Sequence, residues 1–146
     1  MNGSAFILDA SVAAKWVLPS EYEDLVPQAA WVRSQYDEGK MHLLVPDLFW
    51  PEMGNVLWRN VRKKRISRQH AADAMNVLLA KRLESVPTAR LMTDAIEHAC
   101  TYDRSVYDCV YLALTVTSGL PLLTADVKLV NAMGRYFPIR WLGSAW

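Results

Sequence analysis

Four carboxylic acids, far apart along this sequence, have residue types and settings that could do chemistry together. They are Asp9, Glu52, Asp108 and Asp126. Two unit charges ~4 Å apart repel by roughly 4 kcal/mol at an effective dielectric constant of ~20, so a cluster of carboxylates alone would be unstable or would hold protons. Mg²⁺ and Mn²⁺ relieve that repulsion, and both prefer oxygen ligands. We therefore hypothesise that the four acids meet in one divalent-metal site.

Two of these acids lie at the ends of short apolar runs. Asp9 follows residues 4–8, and Asp126 follows residues 120–124 after one alanine. Runs of this length predict buried strands, and chemistry in a parallel α/β sheet gathers just outside the carboxyl ends of its strands. We expect both acids at one sheet edge, although each could equally serve only as the cap of the helix that follows it.

The other two acids belong to predicted helices. Asp108 lies in residues 106–116, which are apolar nearly all round and therefore predict a buried helix. An ionised carboxylate there needs a partner or a metal, and the competing interpretation is a buried, hydrogen-bonded acid. Glu52 taken alone would be a solvated residue on a helix face, so its assignment depends on the other three acids.

The bulk properties indicate an ordinary globular protein. The chain has 146 residues, 52% hydrophobic and 21% charged, which argues against disorder and predicts one domain over residues 1–146. A net charge of +1 produces no global field for nucleic acid, so any such surface must be local. We see no signal-peptide pattern and no apolar run of about 18 residues, so we expect a cytoplasmic protein without a membrane span.

Short apolar runs alternate with helical patterns along the whole chain. The predicted strands are residues 4–8, 42–46, 84–88, 120–124 and 137–142, and the predicted helices are 11–17, 20–38, 48–65, 68–83, 89–102, 105–117 and 126–133. This alternation predicts an α/β fold, a three-layer α/β/α sandwich with a central, mostly parallel sheet. Ser20 and Glu23 form a candidate capping box for the second helix. Cys100 and Cys109 are interpreted as core thiols.

The sequence resembles the PIN-domain ribonucleases, and among them the small VapC-type toxins of bacterial toxin–antitoxin pairs. The matching segments are residues 7–11, 46–48 leading to Glu52 and Asn55, 107–114 and 123–126. They occur in the family's order and spacing over essentially the whole chain. The resemblance implies a PIN-like parallel sheet and a Mg²⁺- or Mn²⁺-dependent endoribonuclease, with the four acids as catalytic residues and metal ligands.

The resemblance extends to other residues and to partners. Ser11 and Thr124 match positions where the family often places a hydroxyl beside the metal, with a helix cap as the equal alternative for each. Asn55 matches a frequent polar position beside the glutamate, whereas Pro51 departs from the commoner small residue. The family's partners imply an RNA substrate, a cognate VapB-like antitoxin that often offers an arginine to the acids, and a homodimer.

A dense basic stretch closes the Glu52 helix. It consists of Arg59, Arg62, Lys63, Lys64, Arg65 and Arg68. It is either a solvated helix end favoured by the helix dipole or a strip that binds RNA phosphates. Since Arg59 and Arg62 follow Glu52 at i+7 and i+10, we expect them on its face and predict them as the phosphate contacts.

Two other functional classes remain open. A catalytically silent PIN-fold module would bind RNA or protein without cleavage, but the presence of all four acids argues against it. A phosphoacceptor domain or a phosphatase would use Asp9 as a strand-end nucleophile. Ser11 stands where such a phosphatase usually has its second acid, so this class fits poorly.

Overall fold

Five parallel strands form the centre of the structure, a computed structural model that describes residues 3–144. They are β1 (Ser4–Leu8), β2 (Met41–Pro46), β3 (Glu84–Val86), β4 (Leu122–Thr124) and β5 (Ile139–Trp141). Their order is β3-β2-β1-β4-β5, and every neighbouring pair is parallel. The predicted parallel sheet is therefore confirmed.

Seven α-helices lie within the same residues. They are α1 (Ala10–Val17), α2 (Val26–Asp37), α3 (Phe49–Arg62), α4 (Arg68–Ala80), α5 (Met92–Tyr102), α6 (Val106–Ser118) and α7 (Val127–Met133). The longest, α3, has 14 residues. None of the helices described in residues 3–144 is long and apolar enough to span a bilayer.

The central strand β1 separates two hydrophobic cores, because alternate residues of a strand point to opposite faces of a sheet. Leu8 packs in a core with α1, α2, α3 and α4, whereas Ile7 packs in a second core with α5, α6 and α7. Both side chains are fully buried. Helices cover both faces of the sheet, and this confirms the predicted three-layer sandwich.

The second helix begins later than the sequence suggested. Ser20–Tyr22 forms a single 3₁₀ turn, and the chain then breaks at Leu25, whose φ of 52° lies in the left-handed region. Pro27 sits in the first turn of α2, where its missing N–H costs nothing, but it would interrupt a helix that ran on from residue 20. Glu23 is bound by the Lys15 ammonium at 3.5 Å, so the predicted capping box is wrong.

The two cysteines differ in environment. Cys109 is fully buried on α6, as predicted, whereas Cys100 is exposed on α5. The core interpretation of Cys100 is therefore wrong. Both thiols are free.

Candidate active site

Asp9 and Asp126 lie at the same edge of the sheet, as the sequence predicted. β1 and β4 are parallel neighbours in which Leu8 is paired with Leu123. The backbone N–H of Asp9 donates to the carbonyl oxygen of Leu123 at 3.0 Å, immediately beyond the end of β1. Asp126 lies two residues beyond the end of β4.

The carboxylate of Asp9 is held by two hydroxyl groups instead of capping α1. Ser11 Oγ donates to Asp9 Oδ2 at 2.7 Å, and Thr124 Oγ1 donates to the same oxygen at 2.8 Å. Asp9 occupies the N-cap position, yet its side chain makes no cap hydrogen bond, so the cap interpretation is wrong for this acid. Burial raises the pKa of Asp9, and the two hydroxyl hydrogen bonds partly counteract that increase.

The same hydroxyls also fix the backbone that follows β4. Ser11 Oγ accepts a 3.0 Å hydrogen bond from the N–H of Ala125, and Thr124 Oγ1 accepts one of the same length from the N–H of Asp126. Ser11 and Thr124 therefore join the loops after two adjacent strands. Neither side chain serves as a simple helix cap.

Asp126 does cap the helix after it. Its Oδ1 accepts from the N–H groups of Lys128 at 3.0 Å and Leu129 at 3.2 Å. The cap interpretation is thus confirmed for one carboxylate oxygen, and Oδ2 has no hydrogen bond to any residue from 3 to 144. The negative charge of Asp126 contributes to the raised pKa of Asp9, so the two carboxylates interact electrostatically.

Asp108 lies in the first turn of α6 and is less buried than the sequence indicated. The buried part of α6 runs from Cys109 to Thr115, whereas 36% of the Asp108 side chain is exposed. Its Oδ2 accepts a 3.0 Å charge-assisted hydrogen bond from Arg104 Nη2. Asp108 still belongs to the acidic cluster, because its charge raises the pKa of both Asp9 and Glu52.

Glu52 projects from the first turn of α3 into the same region. Its Oε1 is completely buried and accepts no hydrogen bond within residues 3–144. Burial, followed by the charge of Asp9, raises the pKa of Glu52 to about 7, and Asp108 adds a smaller contribution. A carboxyl group in this state is half protonated near neutral pH and is stabilised by a nearby cation.

Tyr111 is a residue of the site that the sequence reasoning missed. It follows Asp108 by one turn of α6 and is only 3% exposed. Its hydroxyl lies close to the Glu52 carboxyl group and to the backbone of Ala10, without a well-formed hydrogen bond to either. Burial and the charges of Asp9 and Glu52 raise the pKa of Tyr111 well above 10, so the hydroxyl keeps its proton. The sequence could have indicated Tyr111, because it is a tyrosine inside an apolar helix, three residues after the candidate ligand Asp108.

The four acids offer the oxygen ligands that a hard divalent cation prefers, but they do not lie close enough together to coordinate one ion. All four side chains offer carboxylate oxygens, two of them have raised pKa values, and one buried oxygen lacks a partner. Across residues 3–144, however, no three Asp, Glu, His or Cys side chains are close enough to hold one ion together. The Asp108 carboxylate turns toward Arg104, so a cation shared by these acids would require that side chain to rotate.

Two grooves adjoin the acids. The first, here called the Tyr107 groove, has a volume of about 460 Å³ and is lined by Glu52, Asn55, Tyr107 and Arg59, together with apolar side chains of α3. The second, called the Lys63 groove, measures about 340 Å³. Its lining includes Ser11, Asp126, Arg59, Lys15, Lys63 and Arg65. Arg59 lines both grooves and so lies between them.

Arg62 does not share the environment of Glu52, contrary to the expectation from its spacing. Its guanidinium carbon lies 4.8 Å from the ring centroid of Trp58, in a third groove between α3 and α4. At ten residues from Glu52, the helical rotation leaves Arg62 about 80° away around the axis, because each residue turns the helix by roughly 100°. Only Arg59 of the two predicted phosphate contacts reaches the acids' grooves.

Comparison with known proteins gives consistent matches. The PIN domain family matches residues 6–133. Ribonuclease VapC3 of Pyrobaculum aerophilum is 31% identical over 127 residues, which is 86% of this chain and 92% of that protein. Ribonuclease VapC1 of Mycobacterium tuberculosis is 34% identical over 92 residues, 61% of this chain and 66% of that protein.

Solved structures match the fold. PAE2754 from P. aerophilum aligns with a TM-score of 0.64 at 20% identity, covering 97% of this chain and 92% of that chain. VapBC2 from Rickettsia felis, bound to a DNA fragment from its promoter, gives a TM-score of 0.65 at 9% identity, covering 94% and 98% of the respective chains.

Proposed function

This chain belongs to the PIN-domain family and, within it, to the VapC group, and we propose that it is a Mg²⁺- or Mn²⁺-dependent endoribonuclease, the toxin of a type II toxin–antitoxin system. One observation carries the proposal. Asp9, Glu52, Asp108 and Asp126 come from four separate segments, and their charges lie close together: Asp108 and Asp126 contribute to the raised pKa of Asp9, and Asp9 and Asp108 to that of Glu52. The sheet edge at which Asp9 and Asp126 lie is where α/β folds bind ligands and carry out chemistry.

The four carboxylates would hold the cation. When bound, a divalent ion lowers the pKa of a coordinated water and neutralises charge on a phosphate group. The chain itself orients the ligands: the hydroxyls of Ser11 and Thr124 hold one oxygen of Asp9 in a fixed direction. The other oxygen of Asp9 accepts no side-chain hydrogen bond from residues 3–144, which leaves it available as a ligand.

The basic groups of the site would bind the RNA. Arg59 separates the two grooves, where its guanidinium group can contact a phosphate beside the acids. Arg104 lies against Asp108, and if that carboxylate held a cation, the guanidinium group would be free to bind a phosphate oxygen. These cations offset the repulsion between the RNA backbone and the acidic cluster.

We also propose a VapB-like antitoxin as partner, a homodimer as the assembly and the cytoplasm as the location. The names of the relatives support a toxin–antitoxin role, since structural neighbours are VapBC proteins from several bacteria. Exposed large side chains support a partner surface: Trp58 on α3 is 52% exposed and Trp31 on α2 is 41% exposed. Aromatic residues are enriched in the cores of protein interfaces.

The test is cleavage of single-stranded RNA by wild type, Asp9→Asn and Asp108→Asn, each with Mg²⁺, with Mn²⁺ and with EDTA. We expect EDTA to abolish cleavage and each substitution to reduce its rate on the order of a hundredfold or more, which corresponds to about 2.7 kcal/mol of transition-state stabilisation. Asp73→Asn is the matched control, since Asp73 lies on the surface of α4 and pairs there with Gln69. Wild-type activity in EDTA, or in either site variant, would contradict the proposal.

A further inference from the structure

The Tyr107 groove has an unusual lining for a surface next to an acidic cluster. Leu48, Pro51 and Val56 supply apolar walls, and the groove contains Glu52 at one end. Its volume of about 460 Å³ lies in the range of small-ligand sites. A surface that binds only phosphate needs no apolar walls. The apolar lining therefore suits a nucleobase better than a phosphate group.

Tyr107 presents an aromatic ring to this groove. It directly precedes Asp108, and its side chain is 66% exposed, more than any other large hydrophobic residue in the part of the chain that the structure describes. Within residues 3–144 its ring has no aromatic neighbour and its hydroxyl has no hydrogen bond. A free aromatic face beside a phosphodiester site is suited to stacking with an unpaired base, as in single-stranded RNA recognition.

Asn55 adds polar recognition to the same groove. It lies one turn after Glu52 on α3 and is exposed, and its amide group makes no hydrogen bond to another described residue. A carboxamide carries both a donor and an acceptor, so it can pair with the edge of a base. Aromatic stacking and a free amide in one groove are complementary to a nucleobase.

The Lys63 groove differs in a way that assigns the two grooves different parts of the RNA. Its four cationic side chains, Lys15, Arg59, Lys63 and Arg65, outnumber its two acids, Glu23 and Asp126, and no aromatic side chain lines it. Phosphates therefore favour the Lys63 groove and a base favours the Tyr107 groove. Arg59 lies between them, next to the acids where the cleaved phosphate would sit.

From this arrangement, and resting on the proposed ribonuclease function, we propose that the Tyr107 groove binds the nucleobase adjacent to the cleaved phosphate of single-stranded RNA. Tyr107 stacks on the base, and the Asn55 amide reads its edge. The groove thereby contributes to the choice of cleavage site, while the cations of the Lys63 groove bind the backbone without regard to sequence.

The test measures binding separately from cleavage. Fluorescein-labelled 12-nucleotide RNAs of A, C, G or U are titrated by anisotropy with the full chain in EDTA, where no cleavage is expected. We expect Tyr107→Ala to weaken binding of the preferred RNA roughly tenfold, about 1.4 kcal/mol and within the range for stacking of one base. Tyr107→Phe keeps the ring and should stay within about twofold of wild type.

Two further variants separate the groove from general effects. Asn55→Ala should reduce the ratio between the tightest and weakest of the four RNAs by about fivefold, because the edge-reading amide is lost. Tyr136→Ala is the matched control, since Tyr136 is 52% exposed but does not line the groove, and it should bind all four RNAs like wild type. Quenching of a 2-aminopurine base in the RNA should occur with wild type and vanish in Tyr107→Ala.

The outcomes distinguish this inference from the function on which it rests. If wild type binds and cleaves RNA while Tyr107→Ala and Asn55→Ala behave like wild type, the base site is wrong and the ribonuclease proposal stands. If wild type neither binds nor cleaves any of the four RNAs, both fail. Because Tyr107 is exposed, its variants should melt at the wild-type temperature, which excludes misfolding as the cause of a loss.

Discussion

Nη2 of Arg104 lies 3.0 Å from Oδ2 of Asp108, so one acid of the candidate metal site is already paired with a cation of its own chain. The pair spans one helical turn at the start of α6, and both side chains are partly exposed. A metal ion bound there would therefore compete with a guanidinium group for the Asp108 carboxylate. Among residues 3–144, the acids share one edge without forming a coordination sphere.

The first prediction concerns this competition. Arg104→Gln should tighten Mn²⁺ binding in the absence of RNA by about three- to fivefold, because an exposed ion pair is worth roughly 1 kcal/mol or less. Isothermal titration calorimetry at pH 7.5 measures the change. Arg135→Gln is the control, since Arg135 lies over the ring of Tyr136 and should leave Mn²⁺ affinity unchanged. Weaker Mn²⁺ binding by Arg104→Gln would mean that Arg104 supports the site instead of competing for it.

The second prediction concerns Tyr111. Its hydroxyl lowers the pKa of Glu52, so Tyr111→Phe should raise that pKa further and keep Glu52 protonated at higher pH. Since a ligand must be deprotonated, Mn²⁺ affinity should fall most near pH 7 and recover toward wild type by about pH 8.5. Unfolding free energy should change little, because the hydroxyl lacks a well-formed hydrogen bond and the ring remains. An equal loss of affinity at every pH would refute the proposed link to Glu52.

The third prediction concerns the hydroxyls on Asp9. Thr124→Val keeps the side-chain shape but removes a donor to Asp9 and an acceptor for the N–H of Asp126. We expect a loss of about 1–3 kcal/mol in unfolding free energy, because Thr124 is completely buried, the N–H of Asp126 loses its acceptor and Asp9 Oδ2 keeps only the bond from Ser11. Mn²⁺ affinity should fall as well, since the pKa of Asp9 rises. Thr117→Val, on the far half of α6, is the control and should leave Mn²⁺ affinity intact.

Much of the fold was predictable from local pattern, because β1, β2 and β4 are short, mostly apolar runs. Gly119, with a φ of 72°, ends α6 where the sequence indicated. The break before α2 was harder, since Leu25 adopts a left-handed conformation that its residue type does not suggest. Beside this break the ammonium of Lys15 binds Asp24 at 2.7 Å, a contact that periodicity cannot indicate.

The acids of the site were predictable from the sequence, but the side chains that contact them were not. The strand ends place Asp9 and Asp126 together through sheet topology alone. Arg104 stands four residues before Asp108, a spacing that allows an ion pair without requiring one, whereas the position of Tyr111 beside Glu52 depends on how α6 packs in its core. The helical face inferred from spacing also included Arg62, although a rotation of about 80° from Glu52 places it beside Trp58 in another groove.

The fourth prediction separates Arg59 from Arg62. If Arg59 binds a phosphate, Arg59→Ala should weaken RNA binding and reduce the slope of log affinity against log salt by about 1. Arg62→Ala should leave that slope near the wild-type value, because Arg62 packs on Trp58 outside both grooves that adjoin the acids. Anisotropy titrations of a labelled 12-nucleotide RNA at several salt concentrations measure both slopes. Equal decreases of the salt slope in the two variants would mean that both arginines bind RNA phosphates, as the sequence predicted.

The fifth prediction uses the raised pKa of Glu52 in metal-free protein. Between the ordinary value of 4.5 and about 7, the folded state binds more protons than the unfolded state. The contribution of this group to stability therefore falls as pH rises through that window and is least favourable above pH 7. Glu52→Gln removes the ionisable group, so in EDTA it should be close to wild type at pH 4.5 and more stable at pH 8.

Because Glu52 is partly exposed, solvent screening reduces the gain at pH 8 to on the order of 1–2 kcal/mol, or several degrees in melting temperature for a domain of this size. Melting curves at pH 4.5, 6 and 8 measure this gain. Comparing the two proteins at each pH removes the pH effects that both share. Glu97→Gln, at an exposed position on α5, should show no such pH-dependent gain. Mg²⁺ should narrow the difference at pH 8, since the cation stabilises the ionised carboxylate of wild type. A constant offset between Glu52→Gln and wild type from pH 4.5 to 8 would mean that Glu52 ionises at its ordinary pKa and is not held among the other acids.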